Sequence, residues 1–306
     1  MKEISVVAPF YNESESMDAF FKTLVPILKK AKLSFEIVCV NDGSKDDTLE
    51  KLIKFKKKHP QIKIVNFSRN FGKDAALTAG LDFAEGECVV PIDSDLQDPP
   101  ELILDMIKKW KEGFDVVLAK RTDRSEDTLT KRATAGLFYK VYNMLSEPKL
   151  PENVGDFRLM DRKVVDAVKL LPERKRFMKG LFAFAGFKTA IVEYKRPERK
   201  AGASKWSYFK LFNYAIDGIT SFSAFPLRIS TYFGLLVTAL AFARGVWILF
   251  RAIFCGIDVP GYASLIVAIL FLGGVQLISL GIIGEYVGRI YVESKNRPLY
   301  IVKDVI

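Results

Sequence analysis

The residues best suited to chemistry form a short acidic stretch, Asp93-Ser94-Asp95, which follows an apolar run from Cys88 to Ile92. Such a run is typical of a buried strand, and Pro99-Pro100 can open a helix soon after it. Two carboxylates at the carboxyl end of a strand suit a hard divalent cation that also holds phosphate oxygens. A solvated acidic turn has the same spacing, so this stretch alone does not decide the function.

Two further polar groups follow predicted strands. Asn12-Glu13 comes after the first strand, and Asn41-Asp42-Gly43-Ser44 comes after the second. Helix capping and turn formation explain each group when it is taken alone. Because the carboxyl ends of parallel strands meet at one edge of a sheet, three such groups together predict a single polar site.

The elements that must position these residues alternate between strand and helix. Strands are predicted at Ile4–Pro9, Phe35–Asn41, Ile62–Phe67, Glu87–Ile92 and Asp115–Ala119. Helices are predicted between them at Glu15–Ala31, Asp47–Lys58, Lys73–Ala84 and Glu101–Glu112. This rhythm indicates βαβ units and an α/β fold with a mostly parallel sheet.

Four helical segments follow. Leu129–Leu145 and Ser204–Phe222 are basic and amphipathic, so they could cover the sheet or lie in a lipid interface. Ile229–Phe250 and Tyr262–Gly284 are apolar, and the first corresponds to about 33 Å of helix against about 30 Å of hydrocarbon. We interpret this second pair as a transmembrane hairpin, with two buried core helices as the alternative.

Most basic residues flank the hairpin on one side, and the connection Cys255–Gly261 has no Lys or Arg, although Arg244 and Arg251 lie toward the other side in the first span. This distribution predicts that both ends are cytoplasmic. The chain begins directly with a predicted strand and shows no signal-peptide pattern, which agrees with that topology. The flanking residues are Arg199, Lys200, Lys205, Lys210, Arg228, Arg289, Lys295, Arg297 and Lys303.

The composition narrows the function further. The formal net charge is +10, and beside an apolar hairpin an anionic lipid surface explains the excess better than nucleic acid does. Cys39 and Cys88 lie inside predicted strands and are expected to be packed thiols. His59 is the single histidine and follows a run of lysines, so a mechanism with a histidine base is not expected.

The motifs together resemble the inverting glycosyltransferases of family 2, which have the GT-A fold. The polyprenyl-phosphate branch, which includes the dolichol-phosphate mannose synthases, is the most similar, and within it the bactoprenol (undecaprenyl-phosphate) glucosyltransferases of prophage O-antigen modification clusters. The resemblance covers essentially the whole chain. The stretches that carry it are Val7–Glu13, Asn41–Ser44, Phe67–Lys73, Asp93–Pro99, Asn153–Met160 and the terminal hairpin.

This resemblance implies four parts: a GT-A catalytic domain at 1–198, juxtamembrane interfacial helices at 199–228, the transmembrane hairpin at 229–288 and a cytoplasmic tail at 289–306. It implies transfer of glucose from UDP-glucose to undecaprenyl phosphate, with inversion, on the cytoplasmic face of the bacterial inner membrane. The lipid-linked glucose would serve O-antigen glucosylation. Another sugar, such as mannose or an aminoarabinose derivative, stays open, because glucose rests chiefly on Asn153–Met160.

Two other classes of protein are less consistent with the sequence. A processive polysaccharide synthase would carry a Gln-x-x-Arg-Trp stretch and more spans, whereas no tryptophan here follows an arginine. A non-catalytic membrane scaffold would not need the acids at 42, 93 and 95 or the arginine at 199, all of which are intact.

For the donor side, the resemblance implies that Asp95 is the main ligand of Mg²⁺ or Mn²⁺ and that Asp93 contacts the metal or the nucleoside. Asp42 would read the base edge, and Gln97 would contact the donor sugar or the acceptor. The remaining donor-side residues are Pro9, Asn12 and Glu13 around the nucleotide, and Arg199 and Lys205 on the diphosphate.

For the acceptor side, Asp156 matches a position suggested for a base, although orienting the acceptor or holding the metal is equally open. The acceptor is a phosphate monoester whose second pKa is about 6, so this largely dianionic nucleophile needs no strong base. The candidates for binding this phosphate are Lys120, Arg121, Arg124, Lys131 and Arg132, and the choice among the arginines stays open.

Other partners follow from the predicted topology. Two spans offer no polar path for a sugar phosphate, so a separate flippase and a downstream glycosyltransferase are expected. Membrane lipid is a further partner, and a homo-oligomer is compatible with the sequence.

Overall fold

The computed structural model describes residues 2–122, 129–195, 208–255 and 261–306. The strands are β1 (Ile4–Phe10), β2 (Phe35–Asn41), β3 (Ile62–Phe67), β4 (Cys88–Pro91), β5 (Val116–Arg121), β6 (Val154–Asp161), β7 (Thr189–Tyr194) and β8 (Val302–Val305). The helices are α1 (Met17–Lys30), α2 (Thr48–Lys58), α3 (Lys73–Phe83), α4 (Leu102–Lys111), α5 (Leu129–Leu145), α6 (Arg162–Lys169), α7 (Met178–Phe184), α8 (Tyr208–Phe222), α9 (Phe225–Cys255) and α10 (Tyr262–Ser294).

All of these strands join one sheet in the order β7-β5-β6-β4-β1-β2-β3-β8. Strand β1 pairs in parallel with β2 and β4, and β2 pairs in parallel with β3. The predicted α/β fold is confirmed, and the five predicted strands occur with ends shifted by at most two residues.

The core lies on both faces of this sheet because residues along β1 alternate between them. Ile4 and Val6 pack on the face covered by α1, α2 and α4. Val7 points to the opposite face, where α3, α6 and α7 pack. Gly80 of α3 lets that helix approach β1, since a Cβ there would lie 2.0 Å from Cγ1 of Val7.

Three strands were not predicted from the sequence. Strand β6 is antiparallel to β4 and β5, β7 is parallel to β5, and β8 is antiparallel to β3. The segment predicted as a tail, 289–306, therefore contains the end of α10 and then an edge strand of the catalytic sheet. Cys39 and Cys88 are buried in β2 and β4, as predicted.

Helices α9 and α10 form the predicted apolar hairpin. Their apolar windows, Phe225–Ile248 and Ser264–Ser294, are long enough to cross a membrane, and no part of either window is buried. The connecting residues 256–260 lie outside the described residues. Two contacts hold the end of α10: Arg289 pairs with Asp217 of α8 at 2.6 Å, and Glu293 accepts the backbone N–H of Arg174 at 2.8 Å.

Candidate functional site

The three polar groups predicted from the sequence lie at one edge of the sheet. Strands β1, β2 and β4 are parallel neighbours, so the residues that follow each strand emerge together. These groups are Asn12-Glu13, Asp42-Gly43-Ser44 and Asp93-Ser94-Asp95. Pro9 lies half-buried near the end of β1.

Asp42 organises the loop that follows β3. Its buried carboxylate accepts hydrogen bonds from the backbone N–H of Phe71 (2.6 Å), the backbone N–H of Gly72 (3.0 Å) and the side chain of Asn70 (2.9 Å). Burial raises the pKa of Asp42, although these backbone donors oppose the shift. Gly43 permits the close approach: its φ is +63°, and a Cβ would lie 2.2 Å from the carbonyl carbon of Arg69.

Asn12 and Glu13 connect the loop after β1 to the loop after β2. The backbone N–H of Asn12 donates to Oγ of Ser44 (3.0 Å), and its side-chain oxygen accepts the N–H of Lys45 (2.8 Å). The N–H of Glu13 donates to Oγ1 of Thr48 (3.1 Å). Turn and capping contacts therefore place these two residues beside Asp42, where they can also line a pocket.

Lys73 links two of the predicted acids. Its ammonium lies 2.7 Å from Oδ1 of Asp93 and 2.9 Å from Oδ2 of Asp156. Asp156 reaches this edge because β6 runs antiparallel to β4, so the beginning of β6 lies beside the end of β4. Arg158 fixes the strand there, donating to the carbonyl oxygens of Gly155 (2.8 Å) and Asp156 (3.3 Å).

The charges of this cluster are strongly coupled. Burial opposes the ionisation of Asp156, but Lys73, Lys179 and Arg158 together outweigh it and hold the pKa of that carboxyl at about 2. Burial likewise opposes the charged form of Lys73, and Asp156 and Asp93 overcome it and raise the pKa. The pKa of Asp74, the next residue on α3, is raised to about 7 by burial and by Asp156.

Asp95 differs from Asp93 because it is exposed and makes no ion pair with a described residue. One carboxylate oxygen accepts the backbone N–H of Gln97 at 3.1 Å. Within the described ranges, no cluster of three Asp, Glu, His or Cys residues could hold a metal ion. Asp95 therefore fits an ion that takes its other ligands from phosphate oxygens and water, as Mg²⁺ commonly does.

Arg121 belongs to a second cluster, at the end of β5. Its Nε donates to the hydroxyl of Tyr194 (3.1 Å), and that hydroxyl donates to the buried carboxylate of Asp98. Burial, followed by Asp98, raises the pKa of Tyr194 to about 12. The guanidinium of Arg121 is thus oriented by fixed neighbours. Its neighbour Lys120 lies 3.6 Å from Glu193.

The structure does not show the side-chain contacts of several residues that were predicted to bind phosphate. Arg199, Lys205 and Arg124 lie outside the described residues, and Lys131 and Arg132 lie in α5. The roles predicted for these residues, and for Arg121 and Gln97, stay predictions. Sequence reasoning missed Lys73, Asp98 and Tyr194. Lys73 and Asp98 stand inside quoted motifs, but nothing local indicated their partners.

Taken together, the edge of the sheet holds two acids paired with one lysine, an exposed carboxylate and a fixed arginine. A cation on Asp95 and the arginine cluster can compensate negative charge on phosphate groups. The loop held by Asp42 and the loop after β1 supply a half-buried surface for a planar group. This combination suits a nucleoside diphosphate with a second phosphate-bearing ligand beside it.

Comparisons with known proteins agree with this chemistry. The model of the family described as glycosyl transferase family 2 matches residues 5–169, and that of the GtrB C-terminal hairpin matches residues 225–290. An uncharacterized glycosyltransferase of Synechocystis is 55% identical, over 99% of this chain and 95% of that protein. The bactoprenol glucosyl transferase of Shigella phage SfV is 53% identical, over 99% of this chain and 98% of that protein. A crystal structure of glucosyl-3-phosphoglycerate synthase from Mycobacterium tuberculosis, with Mn²⁺, UDP-glucose and phosphoglyceric acid, has a TM-score of 0.48 at 20% identity and covers 72% of this chain and 79% of that one.

Proposed function

The chain belongs to glycosyl transferase family 2, and we propose that it transfers glucose from UDP-glucose to undecaprenyl phosphate with inversion at the anomeric carbon. The observation that carries the proposal is the 53% identity to a bactoprenol glucosyl transferase, which extends over 99% of this chain. The identity includes the hairpin as well as the catalytic domain. The product would be a lipid-linked glucose that serves O-antigen glucosylation.

The nucleotide binds where the loops after β1, β2 and β3 meet. Pro9, Asn12 and Glu13 line this pocket, and Asp42 faces the uracil edge. A carboxylate offers about four acceptor positions, and three N–H groups of the loop already use the carboxylate of Asp42. The imide N–H of uracil can occupy the position that remains.

Asp95 would hold a divalent ion, Mg²⁺ or Mn²⁺, together with diphosphate oxygens and water. The bound ion supplies Lewis-acid stabilisation of the negative charge that grows on the departing diphosphate. Asp93 can join as a ligand only when Lys73 releases it, since both carboxylate oxygens contact that ammonium at 2.7 and 2.8 Å. Arg199 and Lys205 add positive charge to the same diphosphate.

The acceptor phosphate attacks the anomeric carbon from the face opposite the diphosphate. A bond forms between a phosphate oxygen and that carbon as the bond to the diphosphate breaks, and UDP leaves. The acceptor is already an anion, and a carboxyl with a pKa of about 2 is a weak base, so Asp156 orients ligands rather than taking a proton. Arg121 meets the acceptor phosphate, and Gln97 contacts the sugar.

The two apolar helices anchor this chemistry at the bacterial inner membrane, with the catalytic domain on the cytoplasmic side. The distribution of basic residues supports this orientation. The lipid-linked sugar then depends on a flippase and on a second glycosyltransferase on the far side.

Mass spectrometry of the lipid product tests the reaction. The purified full chain is incubated with undecaprenyl phosphate and, separately, with UDP-glucose, UDP-N-acetylglucosamine and GDP-mannose. We expect a mass gain of one hexose with UDP-glucose and no product with the other donors. A product only with another donor would refute the assignment of glucose, and no lipid product with any donor would refute the acceptor.

Cysteine labelling in intact cells tests the topology. After Cys255 is replaced, an impermeant thiol reagent should label Asp258→Cys from outside the cytoplasmic membrane and should not label Lys295→Cys. The reverse pattern would overturn both the orientation and the need for a flippase.

A further inference from the structure

The strand that follows the hairpin, β8, begins against the donor side of the site. Helix α10 stops at Ser294, and the chain then enters the catalytic sheet beside β3. The backbone N–H of Ser68 donates to the carbonyl of Ile301 (3.0 Å), so the pairing reaches the first residue after β3. The loop that begins there carries the groups bound by Asp42, and also Lys73.

A series of aromatic contacts connects the residue at 300, just before β8, to that loop. The ring of Tyr300 stacks on Phe67, with centroids 5.0 Å apart and planes 11° from parallel. Phe67 in turn meets the edge of Phe71 at 5.7 Å, and the backbone N–H of Phe71 donates to Asp42. The hydroxyl of Tyr300 donates to Asp82 of α3 (2.7 Å), and this hydrogen bond fixes the position of the Tyr300 ring.

A series of side-chain hydrogen bonds also connects β8 to the turn at Asp42. Asp304 on β8 accepts from the side-chain amide of Asn66 (3.1 Å), and the side-chain oxygen of Asn66 accepts from Asn41 (2.8 Å). Both asparagines are buried, and Asn41 directly precedes Asp42. A buried amide pair must be satisfied on all sides, so the carboxylate of Asp304 helps to set the orientation of both amides.

We infer that the segment 300–305, which contains β8, is a positioning element of the nucleotide site, in which Tyr300 and Asp304 hold the loop after β3 and the turn at Asp42 in their binding geometry. The inference rests on the proposed function, because its ligand is the uridine nucleotide. Residues 295–301 alone separate α10 from β8, so the hairpin is tied directly to the donor loop. Loss of such support loosens a site without removing a group that touches ligand.

The test compares UDP binding and donor kinetics in Tyr300→Ala and Asp304→Ala, made in the full chain. Losing one aromatic pair, or one hydrogen bond in a buried network, should weaken UDP affinity about 3- to 10-fold. The KM for the UDP-sugar donor should rise by the same factor, while the kcat and the KM for undecaprenyl phosphate stay within about twofold. Val305→Ala is the matched control: it lies on the same strand with its side chain 53% exposed, and it should bind UDP as the wild type does.

Thermal unfolding of each variant distinguishes positioning from simple stabilisation. A strand that only stabilised the domain would lower Tm and leave UDP affinity unchanged well below Tm, and that result in both variants would overturn the inference. If Tyr300→Ala does not fold, Asp304→Ala decides, because it removes a single contact of an exposed side chain. A wild type that fails to bind UDP would instead refute the proposed function.

Discussion

Replacing Lys73 by methionine is the most direct test of the charge cluster. The change keeps an unbranched side chain that is one atom shorter, and it removes the ammonium that lies between Asp93 and Asp156. The carboxylates of Asp93 and Asp156 would then lie near each other with no ammonium between them. The pKa of Asp156 should rise, because only Lys179 and Arg158 would then oppose the effect of burial.

The expected size of the effect follows from the contacts. Hydrogen bonds to charged groups contribute about 1.5–3 kcal/mol each. The side chains of Lys73, Asp93 and Asp156 are 41%, 36% and 20% exposed, so solvent screening favours the lower end of that range. Two such contacts give about 3 kcal/mol, which corresponds to about 100-fold in kcat/KM if both are needed in the transition state.

The assay measures transfer from UDP-glucose to undecaprenyl phosphate by the full chain, and Tm is recorded for the same samples. Lys73→Arg should recover part of the activity because it keeps the charge with a different geometry. Lys109→Met is the matched control, since that lysine is 42% exposed and has one carboxylate at 2.8 Å, and its activity should stay within about twofold of wild type. Turnover of Lys73→Met within about threefold of the wild type would refute the reasoning.

Three further predictions use the same preparation. Asp95→Asn should abolish transfer, as should a chelator acting on the wild type, with recovery on adding Mg²⁺ or Mn²⁺; full turnover in chelator would exclude the metal role. Asp42→Ala leaves two backbone N–H groups unpaired, at about 1–3 kcal/mol, so calorimetry should show UDP affinity falling about 5- to 100-fold, and unchanged affinity would contradict the role of Asp42. The raised pKa of Asp74 means that ionising this carboxyl destabilises the folded state, so the free energy of unfolding should fall as pH rises from about 4 to about 7. Asp74→Asn should therefore raise the free energy of unfolding at pH 8 by about 1–3 kcal/mol, allowing for partial exposure, and should give no gain near pH 4. Equal stabilisation by Asp74→Asn at both pH values would contradict the raised pKa as the cause.

The sequence by itself determined the elements whose pattern is local. Strands β1 to β5 and helices α1 to α4 are apolar runs or amphipathic stretches that a single segment reveals. The two apolar helices are equally local signals, set by length and composition. From the parallel order alone it followed that the residues after β1, β2 and β4 share one edge, because parallel strands end on the same side.

Only the tertiary structure decided which charged groups meet at that edge. Lys73 pairs with Asp156 because β6 enters the sheet antiparallel beside β4, and no local pattern encodes that direction. Likewise, Tyr194 reaches Asp98 only through the pairing of β7 with β5. Strand β8 is too short for a periodic signal, and its place beside β3 depends on contacts between residues far apart in the chain. Local preference decides whether a segment forms a strand or a helix. Packing between segments that are distant in the chain decides which charged side chains pair.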